Sequence, residues 1–472
     1  MANKVNDDTV VKIIEKCQVG PPPASVPSTS LPLTFFDIPF LSCPVTCTRI
    51  FFYELPHTTT THFLQTLLPN LKHSLSLTLQ HFFPFSSKIV FPPKPQTPHI
   101  LYSQGDTLPF IVAESTTNFN NLVCNIPRDV TSLYPIVPDL PQTRALEDGT
   151  LLIPPMAIQV TVFPNSGFTI CINFRHAVTD GKAFHSFIKM WSSMCGGSKE
   201  KNLFALPLHD RDIIQDPNGF NPIFLDSLWN FPREFIMNPI YNIPNDNVRH
   251  RLVLKSEHVE NLKRLVSAKY QSLGLETSLH VSTFVVTCAL VWVCKVKSSS
   301  EDNIRSGDDD DEELYLTFWV DCRYLAELKI PLTYFGNCLV NGIAAVKRSK
   351  LEGQNGIFEA AIALRSKIKE LQCEPYKGAE TLMSVFGKFA TMGHRMTGIA
   401  GSPKLGAYES DFGWGKPKLS EVLHVNSAEL VSLSDCRNKE GGIEVGVAFG
   451  RAQMQKFNAI LEKILEDIAV HD

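Results

Sequence analysis

Two apolar runs, residues 157–163 and 168–174, flank the tetrapeptide Pro164-Asn165-Ser166-Gly167, whose glycine suits a tight reversal, so they predict an antiparallel hairpin. Immediately after the second run stands His176-Ala-Val-Thr-Asp180-Gly181, followed by residues 183–194 with Phe184, Phe187, Ile188 and Trp191 at helical spacing. A strand, a tight turn and a helix therefore bracket His176 and Asp180. A chain built on this unit is expected to fold as α/β, with strands and helices mixed along its length.

The rest of the chain repeats the alternation. Residues 49–55 have the β-branched and aromatic enrichment of a strand, and 59–81 carry Phe63, Leu64, Leu67, Leu68, Leu71, Leu75 and Leu77 at helical spacing. Short strands are predicted at 88–91 and 100–102, split by a Pro-rich turn. Residues 195–247 are rich in Gly, Pro, Asn and Asp without a sustained period, which marks them as a connection. Beyond them come a strand at 251–255, a helix at 256–270 that opens on Ser256 as its cap, a nearly all-apolar helix at 282–295 and a strand at 314–320. The acidic stretch 298–313, with Asp308-Asp-Asp-Asp-Glu-Glu313, reads as a solvated loop rather than a metal site. This organisation predicts an N-terminal domain at 1–200, a crossover at 201–247 and a C-terminal domain at 248–472.

Composition narrows the function classes. Over 472 residues the formal net charge is −4, and a pI near 6.4 leaves no general positive field for nucleic acid. Hydrophobic residues make 44% against 19% charged, the balance of a large core and not of a disordered chain. The first twenty residues hold no signal-peptide apolar region, and the best candidate for a membrane span, 281–296, is short and interrupted by Ser282, Thr283 and Lys295. A soluble cytoplasmic monomer acting on small molecules is the expectation. The twelve Cys are scattered without a Cys-x-x-Cys pair, so they read as buried thiols, with neither a disulfide framework nor a metal centre.

Two patterns carry chemistry. His176 is placed to serve as a general base, and Asp180 one turn on is placed to orient it; this is the one His-x-x-x-Asp in the sequence. The second pattern is Asp411-Phe-Gly-Trp-Gly415, where two glycines flanking a Trp permit backbone that no Cβ could follow. Its Asp-Phe-Gly lacks the Gly-rich, Val-Ala-Ile-Lys and His-Arg-Asp partners of a kinase, and no Gly-x-Ser-x-Gly nucleophile elbow occurs.

His176-Ala-Val-Thr-Asp180-Gly181, Tyr334-Phe-Gly-Asn-Cys338 and Asp411-Phe-Gly-Trp-Gly415, with Leu31-Pro-Leu-Thr-Phe-Phe-Asp37 ahead of them, resemble the plant BAHD acyl-CoA-dependent acyltransferases, in particular the clade that acylates anthocyanin and other flavonoid glycosides. The resemblance covers essentially the whole chain. Its departures are Arg175, where many members carry a second His, and the acidic stretch 298–313 as an insertion. It implies two similar-sized mixed-sheet domains of the chloramphenicol-acetyltransferase type with a solvent channel between them. It further implies that His176 deprotonates a sugar hydroxyl attacking the thioester of acyl-CoA, a co-substrate, with no bound cofactor. Asp180 then points away from substrate and shapes the turn through a salt bridge or backbone hydrogen bonds. Asp411 is read as structural, ion-paired with Arg323, and Trp414 as a candidate oxyanion donor. For CoA the resemblance points to Lys263, His280, Ser282 and Thr283, with Lys404 as a weaker candidate. A malonyl donor would draw on Arg175 and Lys182; a hydroxycinnamoyl donor would draw on Phe184 and the 31 phenylalanines. The competing class is a catalytically silent ligand-binding protein on the same fold, disfavoured by the intact His176, Asp180 and 411–415.

Overall fold

The computed structural model describes residues 11–42, 46–197, 205–237, 246–274, 279–299, 312–423, 429–437 and 441–469. The predicted hairpin forms between Met156–Phe163 and Gly167–Phe174, with Val160 opposite Ile170 and Asn165 at a positive φ of 60° in the turn. Every residue of both strands is buried. The hairpin is the centre of a six-stranded sheet, in the order Val11–Val19, Leu108–Ser115, Met156–Phe163, Gly167–Phe174, Cys47–Glu54, Leu419–Val422. The pair Leu108–Ser115 and Met156–Phe163 is parallel, so the sheet is mixed.

A second, seven-stranded mixed sheet follows the order Leu339–Lys347, Glu313–Asp321, Met396–Gly401, Leu430–Asp435, Ile443–Gly450, Asn247–Leu254, Arg128–Asp129. The two sheets exchange strands. Leu419–Val422 pairs with Cys47–Glu54 in the first sheet, and Arg128–Asp129 pairs with Asn247–Leu254 in the second. Buried charges stitch this exchange: Glu421 is gripped by Arg128 and Arg249, and Arg49 donates to Ser420 and Ser434. A smaller five-stranded sheet runs Thr29–Pro32, His99–Tyr102, Lys88–Phe91, Leu151–Ile153, Arg144–Ala145.

Several local expectations need correction. The connection at 195–247 contains helices Phe220–Trp229 and Arg233–Met237. Their signal is masked because Pro222 sits in the first turn, where its missing N–H costs nothing, and because the Asp216 carboxylate, outside the helix, accepts from the N–H groups of Phe220 and Asn221. Phe220, Phe224, Leu225 and Leu228 then form the buried stripe. Residues 201–204 and 238–245 of that connection lie outside the described residues. The helix at 256 has Lys255, not Ser256, in the capping position, and the apolar helix runs Thr283–Ser299, beyond the expected start of the acidic loop. Of that loop, 300–311 lie outside the described residues. Nor are all thiols buried: Cys171, Cys195, Cys288, Cys294, Cys322 and Cys338 are, whereas Cys373 is exposed. None of the described helices is long and apolar enough to cross a membrane, and the described residues contain no His/Cys/Asp/Glu cluster fit for a metal ion.

The helix Gly181–Cys195 lies against the helix Leu68–Leu79 through Trp191, fully buried, whose indole N–H reaches Leu71 O and Ser74 Oγ at 3.2 Å each. Trp191→Ala should therefore lower stability by about 3–5 kcal/mol. Ser186→Ala, on the exposed face of the same helix, should stay within about 0.5 kcal/mol, both read by urea denaturation.

Candidate active site

The strand Gly167–Phe174 ends at the turn His176–Val178, and the helix Gly181–Cys195 starts at Asp180, so backbone geometry places the two residues on a rigid corner. Asp180 is fully buried and serves as the N-cap: Oδ1 accepts from Ala183 N–H at 3.1 Å. Its other oxygen faces the second sheet, where Oδ2 accepts from Arg323 Nη1 at 2.8 Å and from Cys338 N–H at 3.1 Å. With three donors on its two oxygens, this carboxylate is directed into the scaffold. The Arg323 guanidinium also donates to Asp321 Oδ1 at 2.9 Å and to the carbonyls of Tyr334 and Gly336 at 3.0 Å. Burial opposes its charge, but Asp180 and Asp321 outweigh that and hold it protonated above its ordinary range.

A second buried carboxylate mirrors this. Asp37 takes Thr34 N–H and Oγ1–H on one oxygen, and on the other Asn337 N–H at 3.0 Å and Asn337 Nδ2 at 2.9 Å. Asn337 Nδ2 in turn donates to the main-chain oxygen of His176 at 2.8 Å. Arg211, from the connecting segment, lies 3.8 Å from Asp37 and donates to the Tyr334 hydroxyl at 2.6 Å. Gly336 adopts φ +150°, and a Cβ there would stand 1.9 Å from Arg211, so the glycine of Tyr334-Phe-Gly-Asn-Cys338 is required by close approach. Sequence reasoning did not assign roles to Asp37, Arg211 or Asn337; long-range pairing, not a local pattern, makes them matter.

The half-buried His176 ring is stacked on Phe40, with centroids 3.9 Å apart and planes at 15°, and Phe40 leans on Trp319 at 5.1 Å. Phe40 follows directly from the Asp37 turn, and Trp319 lies on the strand Glu313–Asp321, so the second sheet backs the residue that stacks on the ring. Burial lowers the His176 pKa; Asp180, the residue's own carbonyl, Asn337 and Asp37 raise it by less. The imidazole is thus neutral, with a basic lone pair, at neutral pH.

The segment 411–415 stands elsewhere. Gly413, at φ +99°, packs on Gly196 just past the end of the helix Gly181–Cys195, and Trp414 meets Phe168 edge-on at 5.4 Å. Fifteen helical residues separate Gly196 from the Asp180 end, or about 22 Å. Phe168 lies some 20 Å down its strand from Phe174. Two independent rulers therefore remove Trp414 from the reacting centre, and the oxyanion-donor expectation is overturned. The expected Asp411–Arg323 ion pair is also absent, because Arg323 is committed to Asp180 and Asp321. Asp411 is exposed, and its Oδ1 accepts from Gly413 N–H at 2.8 Å and Gly415 N–H at 2.9 Å. These two bonds make it the turn-forming residue of the segment.

Ser282 caps the helix Thr283–Ser299, its hydroxyl accepting from Val285 N–H at 3.3 Å. Phe284 packs on Phe318, and Lys295 donates to Met396 O and Thr397 Oγ1, so the helix runs antiparallel to the strand Met396–Gly401 and its Thr283 end stands over the Gly401 end. The loop holding the exposed Lys404 leaves from there, and the neighbouring Leu405 approaches Gly181. Ser282, Thr283 and Lys404 thus share the edge nearest Asp180. Exposed His280 precedes them, its carbonyl accepting from Arg365. Lys263 sits on the helix Ser256–Ser272 with its ammonium 2.8 Å from Glu260.

Two variants separate scaffold from surface turn. Arg323→Met strands the buried Asp180 and should cost about 3–5 kcal/mol in chemical denaturation. Asp411→Asn keeps the acceptor oxygen, so its melting temperature and CoA affinity should match wild type and its cost should stay under about 1 kcal/mol.

A family model described as the Transferase family matches residues 9–464. The chain is 38% identical to the coumaroyl-CoA:anthocyanidin 3-O-glucoside-6''-O-coumaroyltransferase 1 of Arabidopsis thaliana, covering 97% of this chain and 98% of that protein. It is 34% identical to the malonyl-coenzyme A:anthocyanin 3-O-glucoside-6''-O-malonyltransferase of Dahlia pinnata, covering 96% and 97%. Among solved structures, vinorine synthase superposes with a TM-score of 0.67 at 19% identity, covering 95% of this chain and 96% of that one. TRI101 of F. graminearum, complexed with coenzyme A and deoxynivalenol, gives 0.64 at 13% identity, covering 91% and 97%. The fold is therefore shared with acyltransferases of this architecture, and the chain belongs to the BAHD acyltransferases of the Transferase family.

Proposed function

We propose that this chain transfers an acyl group from acyl-CoA to a sugar hydroxyl of a flavonoid or other phenolic glycoside, with His176 as general base. The observation that carries the reading is the His176 ring stacked on Phe40 at a strand-to-helix corner, with its main-chain oxygen held by Asn337. The ring takes the hydroxyl proton as the sugar oxygen attacks the thioester carbonyl. The C–O bond forms, the C–S bond breaks, and the same proton passes to the departing CoA thiolate. Asp180 and Arg323 hold the corner without touching substrate. Ser282 and Thr283, at a helix N-terminus, with Lys404 on the same edge, are the proposed contacts for CoA phosphates; Lys263 and His280 complete that set. The two sheet-based halves, joined through 201–247, are proposed as the domains that bound the channel, in a cytoplasmic monomer with no bound cofactor.

Relatives acting with coumaroyl and with malonyl donors are both similar to this chain. Here the wall beside His176 is Phe40 and Trp319, while Arg323 and Arg211 are already engaged by Asp180, Asp321 and Asp37, and Lys182 lies against the Tyr324 hydroxyl at 3.0 Å. The aromatic surface against the ring favours a planar hydroxycinnamoyl group, and Arg175, next to His176 in the chain, is the cation a malonyl donor would draw on.

A donor panel of acetyl-, malonyl-, coumaroyl- and caffeoyl-CoA, tested against a flavonoid glucoside and its aglycone, should give turnover with the aromatic donors and the glucoside. CoA binding without turnover for every donor would instead identify a silent binding protein. His176→Ala should lower kcat by about 10²–10⁴-fold with acyl-CoA affinity nearly unchanged. Because burial depresses the His176 pKa, kcat/KM should rise with pH through a midpoint below the ordinary 6.5 and stay flat above it.

A further inference from the structure

The connection between the two halves brings residues of its own to the His176 corner. Leu208 lies beside Tyr334-Phe-Gly-Asn-Cys338 as a short parallel bridge: its N–H donates to Thr333 O at 2.9 Å and its carbonyl accepts from Phe335 N–H at 2.8 Å. Next to it, His209 Nε2–H donates to the His81 carbonyl at 2.8 Å, and its ring meets Phe83 at 4.7 Å and Phe335 at 5.2 Å. Two residues on, the buried Arg211 places Nη1 2.6 Å from the Tyr334 hydroxyl, in space that a Cβ on Gly336 would fill. Arg211 Nε and Nη2 have no hydrogen-bond partner among the described residues, so that hydroxyl is the acceptor that fixes the guanidinium. Asp37, 3.8 Å away, already accepts from the N–H and hydroxyl of Thr34 and from the N–H and Nδ2 of Asn337, and supplies charge balance instead.

The Tyr334 ring joins the two ion pairs of the corner. Its centroid is 5.3 Å from the guanidinium carbon of Arg211 and 5.7 Å from that of Arg323, and each cation has its own carboxylate, Asp37 for the first, Asp180 and Asp321 for the second. Just after Tyr334 come the residues that hold the corner: Asn337 Nδ2 donates to the main-chain oxygen of His176, and Cys338 N–H donates to Asp180. We propose that Arg211 is a positioning residue for this corner. From the connection it pins the Tyr334 ring, and so sets the stretch through which Asn337 and Cys338 hold the His176 main chain and Asp180. The crossover then works as a clamp on the site and not only as a tether between the halves.

This proposal rests on His176 being the base, and its test separates the two. Hydrogen exchange of peptides spanning 334–339, in the ligand-free full-length protein, reads the clamp without turnover. It should quicken in Arg211→Met; exchange equal to wild type would overturn the proposal whether or not any donor is turned over. In the kinetic arm, Arg211→Met should lower kcat by about tenfold to a hundredfold with acyl-CoA KM within about twofold of wild type. Arg211→Lys, which keeps the charge but loses the planar fork, should fall between the two. The decisive variant is Arg211→Met/Tyr334→Phe. It removes both partners of the bond, so stability should recover relative to either single change, yet the clamp stays absent and kcat should remain as low as in Arg211→Met. Recovery of wild-type kcat in the double variant would show a merely structural role and overturn the proposal, as would wild-type kcat in Arg211→Met. Should Arg211→Met fail to fold, the double variant decides by the same two readings.

Discussion

The buried pair between Arg323 and Asp180 is the interaction on which the remaining architecture depends. Removing two charges from water costs several kcal/mol for each, so such a pair persists only when every remaining donor and lone pair is satisfied. Here that condition dictates the surroundings. Arg323 must reach the carbonyls of Tyr334 and Gly336, and Asp180 must accept from Cys338 N–H and cap the helix Gly181–Cys195. One ion pair thereby ties the strand-to-helix corner of the first sheet to the strand ends of the second.

The placement of His176, the proposed base, follows as a consequence. His176 lies four residues before Asp180, on the same corner, and inherits its rigidity. Phe40 covers one face of the ring, and Trp319 supports Phe40 from the second sheet. The enclosing apolar contacts shift the imidazole toward its neutral form, which is the form a base requires. Asp37 and Asn337 add a second tether between the halves, reaching the main chain of His176 itself. Separation of the two sheets would therefore release the ring from its anchors, and the proposed chemistry is linked to their packing through a few hydrogen bonds.

The segment 411–415 shows how a conspicuous pattern is not by itself a reacting group. Gly413 permits backbone contact with Gly196, and Phe412 and Trp414 pack on Trp191 and Phe168. It closes the far end of the helix and strand whose near ends carry Asp180 and His176. Its contribution is to the straightness and position of those two elements, on the order of 20 Å from the chemistry.

Much of this was legible in the residues themselves. The hairpin, the helix after it, the apolar helix near 283–299 and the strand near 313–321 follow from periodicity and turn chemistry, because those depend on neighbours a few residues away. His176 and Asp180 were legible for the same reason, since a turn fixes their spacing. The exchange of Leu419–Val422 and Arg128–Asp129 between sheets was not, because strand partners hundreds of residues apart leave no local trace. The choice of Arg323's partner is the clearest case: Asp411 and Asp180 are equally acidic in the sequence, and only packing places one beside the guanidinium and the other on the surface. Asp37, Arg211 and Asn337 likewise acquire their roles through contacts that close only when the chain is folded. Local chemistry determined which elements form and where His176 stands; the tertiary structure decided which buried charges meet, because long-range electrostatic pairing depends on distance in space and not along the chain.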